Sequence, residues 1–175
     1  MEQGMIHIYC GDGKGKSTAA AGLAARAAGR GKQVLVARFL KTDDSGEAAA
    51  LSRIPGIRLI PCSRTFGFTF QMSDQEKKEA ARYYEELFQK AWDQAEQEGF
   101  DMLVLDEMMA ALSAGFVTEE QLLGRLQNRP EGLEVVMTGR NPSERLVEAA
   151  DYVSEIRKVK HPFDRGIGAR TGIEL

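Results

Sequence analysis

Short, densely apolar runs alternate along this chain with longer stretches in which apolar residues recur every three or four positions. Residues 5–10 form one such run and predict a strand. Residues 16–29 carry Ala20, Ala21, Leu23, Ala24, Ala27 and Ala28. These predict a helix whose small side chains let it lie close to a sheet, ended by Gly29 and Gly31. Residues 33–40 are almost continuously apolar, as expected of a strand buried on both faces of a parallel sheet. A polar loop from Lys41 to Gly46 follows at that strand's C-terminal end, where open α/β sheets bind ligands. A short helix over 47–53 and a short strand over 57–61 are expected next.

The longest helical pattern covers residues 73–98. Ala80, Tyr84, Leu87, Phe88, Ala91, Trp92 and Ala95 share its apolar face, and Lys77, Lys78, Glu85, Glu86, Asp93 and Glu96 share its solvated one. Ser73, with Glu76 three residues on, predicts a capping box, and Gly99 ends the helix. Residues 101–107 run from four apolar side chains into Asp106 and Glu107, a core strand that delivers carboxylates at its end. Helices are expected over 107–114 and 118–127, the second capped by Thr118 with Gln121. Another buried strand, 133–138, ends at Gly139, Arg140 and Asn141. Pro142 and Glu144 open a short helix through Ala150, and 151–158 reads as a last strand. This alternation predicts a three-layer α/β fold with a mostly parallel sheet. The 175 residues fit one domain, 1–175.

Composition narrows the class. Hydrophobic residues at 43% suffice for a full core, and a net charge of −3 argues against a protein that grips nucleic acid non-specifically. No apolar run is long enough to cross a bilayer, and the N-terminus lacks a signal-peptide pattern. A soluble cytoplasmic protein without membrane or nucleic-acid partners is expected. Cys10 and Cys62 have no metal-ligand spacing and are expected as reduced, buried or half-buried thiols.

The chemistry concentrates at Gly11, Asp12, Gly13, Lys14, Gly15, Lys16, Ser17 and Thr18, between the first strand and the first helix. Strand, glycine loop and helix in that order make a phosphate loop. The glycines let several N–H groups converge on one anion, and the helix N-terminus adds its dipole. Lys16 supplies a point charge and the Ser17 hydroxyl a ligand for Mg²⁺. The loop departs from the usual G-x-x-x-x-G-K-[ST] pattern, because five residues before Gly15 stands Cys10; Gly11 and Gly13 lie beside that position. A nucleoside triphosphate is the expected ligand.

Asp106 and Glu107 are expected to hold Mg²⁺, directly or through water. Glu107 could instead be a helix N-terminal acid stabilised by the dipole. Arg140 reads either as a clamp on phosphate oxygens or as a surface ion pair. In the segment 64–70, Phe66, Phe68 and Phe70 share one face if extended, either as an edge strand pinning the core or as a wall for a flat apolar ligand. His161 beside Pro162 reads as structural.

The glycine loop, Gly67-Phe68-Thr69-Phe70, Val104-Leu105-Asp106-Glu107, Thr138-Gly139-Arg140, Val153-Ser154-Glu155-Ile156-Arg157 and Lys160-His161-Pro162-Phe163-Asp164 occur in this order. So arranged, the chain resembles the ATP:corrinoid adenosyltransferases of the phosphate-loop type, from about residue 5 to its C-terminus. The resemblance implies transfer of the 5′-deoxyadenosyl group of ATP to cobalt(I) of a reduced corrinoid, releasing triphosphate, in cobalamin synthesis or salvage. It implies that residues 11–18 bind ATP and that Lys16, Glu107 and Arg140 serve catalysis. Lys14, Lys16, Arg140 and Mg²⁺ (or Mn²⁺) would spread the charge of the leaving group, with Ser17 and Glu107 as metal ligands and Asp106 in support.

Phe68 and Phe70 would lie under the corrin, favouring a four-coordinate cobalt(II) that is easier to reduce. Relatives often carry Trp where Phe70 stands, so this chain keeps an apolar ring but loses area and the indole N–H. Some relatives also carry an N-terminal helix that closes over the corrin. Here Met1 to Gly4 precede the first strand, so a more open site or cover by another segment is expected. A homodimer and a flavoprotein or other reductant complete what the family implies. The competing readings are a phosphate-loop ATPase or small-molecule kinase, and a non-catalytic nucleotide-binding regulatory module.

Overall fold

The computed structural model describes residues 3–64, 66–67 and 71–174. In it the apolar runs become strands β1 (Ile6–Cys10), β2 (Val34–Arg38), β3 (Ile57–Leu59), β4 (Met102–Asp106), β5 (Glu134–Thr138) and β6 (Tyr152–Glu155). They form one sheet in the order β3-β2-β4-β5-β1-β6, and every pairing is parallel. The helices are α1 (Lys16–Ala28), α2 (Gly46–Leu51), α3 (Asp74–Gln97), α4 (Met108–Ser113), α5 (Glu119–Gln127) and α6 (Glu144–Ala149). The fold is therefore α/β, as expected, with the mostly parallel sheet proving parallel throughout.

Strand alternation sends successive side chains to opposite layers. Val34, Val36, Met102, Val104 and Val136 pack with Ala20 and Ala24 of α1 and Leu51 of α2. Leu35, Ala37, Leu103, Leu105, Val135 and Met137 belong to the other layer, with Tyr84, Phe88, Ala91 and Trp92 of α3. All five residues of β2 and of β4 are buried, which is why their sequences show no alternation. Helix α3 starts where its capping box puts it: the Ser73 amide donates to the Glu76 carboxylate at 2.8 Å, and the Glu76 amide donates to Ser73 Oγ. Thr118 and Gln121 repeat the arrangement at α5.

Several boundaries shift for local reasons. Helix α4 begins at Met108 rather than 107, because Glu107 sits in the left-handed region at φ 62°. Ser143 Oγ accepts from the Leu146 amide, so α6 begins at Glu144 and leaves Pro142 outside it. The last strand stops at Glu155 instead of 158. The Ile156 amide still bonds the Cys10 carbonyl, but the Ile156 carbonyl accepts from the Gly13 amide and the Lys158 amide donates to Asp12. The backbone groups that would extend the ladder are used to hold the glycine loop.

Residues 61–64 and 66–67 are irregular, not an edge strand. Phe66 is half-buried against Tyr83 and Tyr84, with ring centroids 5.7 and 5.9 Å apart, and joins the core. Phe68 and Phe70 lie outside the described residues. Both cysteines are free and buried, and burial pushes each thiol pKa up. No helix among the described residues is long and apolar enough to cross a membrane.

Ala24 is fully buried between α1 and the sheet. Ala24→Leu is expected to cost about 1–3 kcal/mol through overpacking, seen as a lower urea midpoint. An unchanged midpoint would contradict the close approach of this helix.

Candidate active site

Because every strand runs the same way, the C-terminal ends of β1, β2, β4 and β5 meet along one edge of the sheet. That edge carries the glycine loop, the turn from Leu40 to Ser45, Asp106 with Glu107, and Gly139 to Asn141. Among the described residues, the non-glycine positions at positive φ all lie here: Leu40 at 57°, Glu107 at 62° and Asn141 at 52°. Glu107 directly follows β4, while Leu40 and Asn141 lie two and three residues beyond β2 and β5. Backbone held in this sparsely populated region clusters where side-chain aim matters more than local ease.

The glycine loop is pinned from outside. The Gly13 amide donates to the Ile156 carbonyl at 2.8 Å, and a Cβ on Gly13 would stand 2.7 Å from the same oxygen. Only glycine fits that approach. The Asp12 carboxylate accepts from the Lys158 amide at 2.9 Å, and this bond holds its pKa below the usual range. Asp12, expected among the ATP-binding residues, therefore spends one carboxylate oxygen on anchoring the loop. Gly15 at the N-cap of α1 offers no side-chain cap, so the first-turn N–H groups are left for another acceptor.

Lys16 curls back, its Nζ donating to the Gly13 carbonyl at 2.8 Å. Burial, with the nearby Arg140 charge second, lowers its pKa. Arg140 is exposed and makes no ion pair among the described residues, which removes the surface-pair reading. Lys14 and Thr18 are exposed, and both line a cleft of about 250 Å³ with Lys16, Ser17, Glu107 and Arg140. A second cleft of about 480 Å³ adjoins it across Lys16, Glu107 and Arg140 and is bounded by Leu40, Met109 and Ala110. His161 lines the first cleft, but its Nδ1 accepts from the Phe163 amide and caps a short 3-10 turn.

Asp106 is 6% exposed. One carboxylate oxygen accepts from Thr138 Oγ1 at 2.6 Å, and that hydroxyl accepts in turn from the Glu107 amide at 2.9 Å. The other accepts from Lys41 Nζ at 2.7 Å. The same ammonium donates to Ser17 Oγ at 2.8 Å and lies 3.9 Å from Glu107 Oε1. Ser17, Asp106 and Glu107, expected as metal ligands, are thus gathered around one point, with a lysine at their centre. Glu107 occupies the N-cap of α4 without capping through its side chain.

Lys41 and Arg38 escaped sequence reasoning, as did the bonding role of Thr138, which entered only within Thr138-Gly139-Arg140. Lys41 was visible only as part of a polar loop after a buried strand. Arg38 is 3% exposed and fixes that loop by donating to the Thr42 carbonyl, Ser45 Oγ and the Asp43 carboxylate. The Ser17 hydroxyl and two carboxylates are hard oxygen donors that fit Mg²⁺ or Mn²⁺. Among the described residues no group of three or more His, Cys, Asp or Glu could hold a metal alone. The remaining ligands would come from phosphate and water.

The sheet, its loop edge and these donors define a nucleotide-binding α/β fold. A solved structure, the cytoplasmic domain of EssC, shares it with a TM-score of 0.50 and 16% identity, covering 96% of this chain and 34% of its own; that likeness concerns fold alone. The family model for ATP:corrinoid adenosyltransferase BtuR/CobO/CobP matches residues 2–175. The corrinoid adenosyltransferase of Escherichia coli (strain K12) is 37% identical over 99% of this chain and 86% of its own length. The Pseudomonas aeruginosa enzyme of that name is 36% identical over 99% and 85%, and corrinoid adenosyltransferase CobA of Salmonella typhimurium 37% over 99% and 86%. The chain belongs to the ATP:corrinoid adenosyltransferase family. Its activity is transfer of the adenosyl group of ATP to a corrinoid.

Thr138→Val keeps side-chain shape but removes a donor from Asp106 and an acceptor from the Glu107 amide. It is expected to cost about 1–3 kcal/mol in urea unfolding. An unchanged midpoint would show that Thr138 does not hold the carboxylate.

Proposed function

We propose that the corrinoid reacts as cobalt(I) and that inorganic triphosphate is the second product, in cobalamin synthesis or salvage. A cobalt electron pair attacks C5′ of the ribose, the C5′–O bond breaks, and triphosphate leaves with that bond's pair. No general base is required. The observation that carries this reading is that Lys16 and Arg140 line one cleft beside the glycine loop, where burial first and the Arg140 charge second lower the Lys16 pKa. A polyanionic leaving group relieves that repulsion.

The N–H groups of residues 11–18 would cradle the phosphates, and Lys16 would exchange the Gly13 carbonyl for a phosphate oxygen. Lys14 and Arg140 would bind along the rest of the chain. Ser17 and Glu107 would ligate Mg²⁺ or Mn²⁺, with Asp106 supporting them. The cation bound there neutralises charge on the departing oxygens. Phe68 and Phe70 would form the apolar wall under the corrin. Support for this is the family resemblance carried by Gly67-Phe68-Thr69-Phe70. A flavoprotein or other reductant would supply electrons to cobalt, and the enzyme would work as a homodimer in the cytoplasm.

Anoxic incubation with ATP, Mg²⁺ and chemically reduced cobalamin is expected to yield adenosylcobalamin by its visible spectrum and one triphosphate for each. ADP and phosphate without an alkylcobalt product would sink the proposal in favour of an ATPase or kinase. Lys16→Ala is expected to slow turnover roughly 10²- to 10³-fold by loss of charge stabilisation. Phe70→Ala is expected to spare ATP binding but impair reduction of cobalt(II); normal reduction would remove the aromatic wall.

A further inference from the structure

Asp106 poses an electrostatic problem when no metal is bound. Its carboxylate is buried, and a buried carboxylate without a counter-charge is strongly unfavourable. Thr138 supplies a hydrogen bond but no charge. The charge comes from Lys41, whose ammonium touches Asp106 at 2.7 Å and Ser17 Oγ at 2.8 Å, with Glu107 3.9 Å away. Those are the three side chains assigned above to the divalent cation. We propose that Lys41 is a resident counter-cation that holds the metal seat and makes metal binding conditional on the nucleotide.

Mutual exclusion follows from size and charge. Mg²⁺ sits about 2.1 Å from its oxygen ligands. An ammonium bonded to the same Ser17 and Asp106 oxygens cannot remain alongside it without close repulsion between cations. The metal therefore enters only as Lys41 leaves. A free divalent ion gains Asp106 and Glu107 but must displace a charge already paired there. An ion arriving with triphosphate brings the negative charge that both cations need, and Lys41 already lines the cleft beside the glycine loop. Metal and nucleotide then bind with positive coupling.

The neighbouring backbone fits a side-chain movement. Arg38 ties Thr42, Asp43 and Ser45 in place, and Leu40 is held at φ 57°. The loop stays fixed while the Lys41 stem, 30% exposed and flexible, changes partners. Lys41 is a positioning residue in this scheme: it keeps the three oxygens gathered and excludes metal that carries no substrate.

This inference rests on the metal reading of Ser17, Asp106 and Glu107, and the test separates the two. Mn²⁺ binding is followed by electron paramagnetic resonance, with and without ATP, in wild type and Lys41→Met. Without nucleotide, Lys41→Met is expected to bind Mn²⁺ roughly 10- to 100-fold more tightly than wild type, with the gap narrowing when ATP is present. Mg²⁺ alone is also expected to raise the melting temperature of the variant while leaving wild type almost unmoved. Equal nucleotide-free Mn²⁺ affinity in both proteins, with normal binding in the presence of ATP, would overturn the role of Lys41 and leave the metal site standing. Loss of ATP-dependent Mn²⁺ binding to wild type would overturn both. Should Lys41→Met not fold, Lys41→Gln retains polar contact without charge and carries the same expectations.

Discussion

The buried Asp106 carboxylate is the interaction on which the site depends. It lies at the end of β4, in the middle of an all-parallel sheet, and is not adjacent to the strand that carries the glycine loop. Strand β5 separates them, and Thr138 of β5 bonds the carboxylate. Lys41, from the loop after β2, closes the gap to Ser17 at the start of α1. One acid thereby ties together segments that leave three different strands. A charge in that position requires a cation, and the identity of that cation is open to exchange.

The same edge is where the proposed phosphate loop would serve adenosyl transfer. On the proposed reading, its N–H groups, Lys16 and Arg140 would recognise a polyphosphate whichever bond breaks next. In the proposed mechanism, what selects the reaction is the nucleophile brought to the nucleotide, which would be the corrinoid. The protein's share would then be orientation and neutralisation of the leaving group, with the hard chemistry left to cobalt.

Legibility in the sequence followed the range of the determining interactions. Buried strands, the Ala-rich helix and both capping boxes depend on neighbours within a few residues, and periodicity or spacing revealed them. Glycine-loop residues and the Asp106–Glu107 pair were visible for the same reason. Lys41 was not, because its aim comes from a left-handed Leu40 and from the Arg38 anchor, neither of which marks the sequence. Thr138 stood in the sequence only as part of Thr138-Gly139-Arg140; its bond to Asp106 comes from the neighbouring strand and leaves no local mark. Apolar patterning overran the end of β6 because backbone groups that would extend it turn to Gly13 and Asp12, more than 140 residues earlier in the chain. For Phe66 the extended reading failed because Tyr83 and Tyr84 of α3 draw the ring onto the core.

The bond that breaks is the most direct question to put to this enzyme. ATP carrying ¹⁸O at the oxygen that bridges C5′ and the α-phosphorus, turned over with reduced corrinoid under anoxic conditions, answers it by mass spectrometry of the products. Attack at C5′ leaves all of the label in triphosphate and none with the adenosyl group. Label retained on the nucleoside would mean cleavage at phosphorus and would contradict adenosyl transfer by this site.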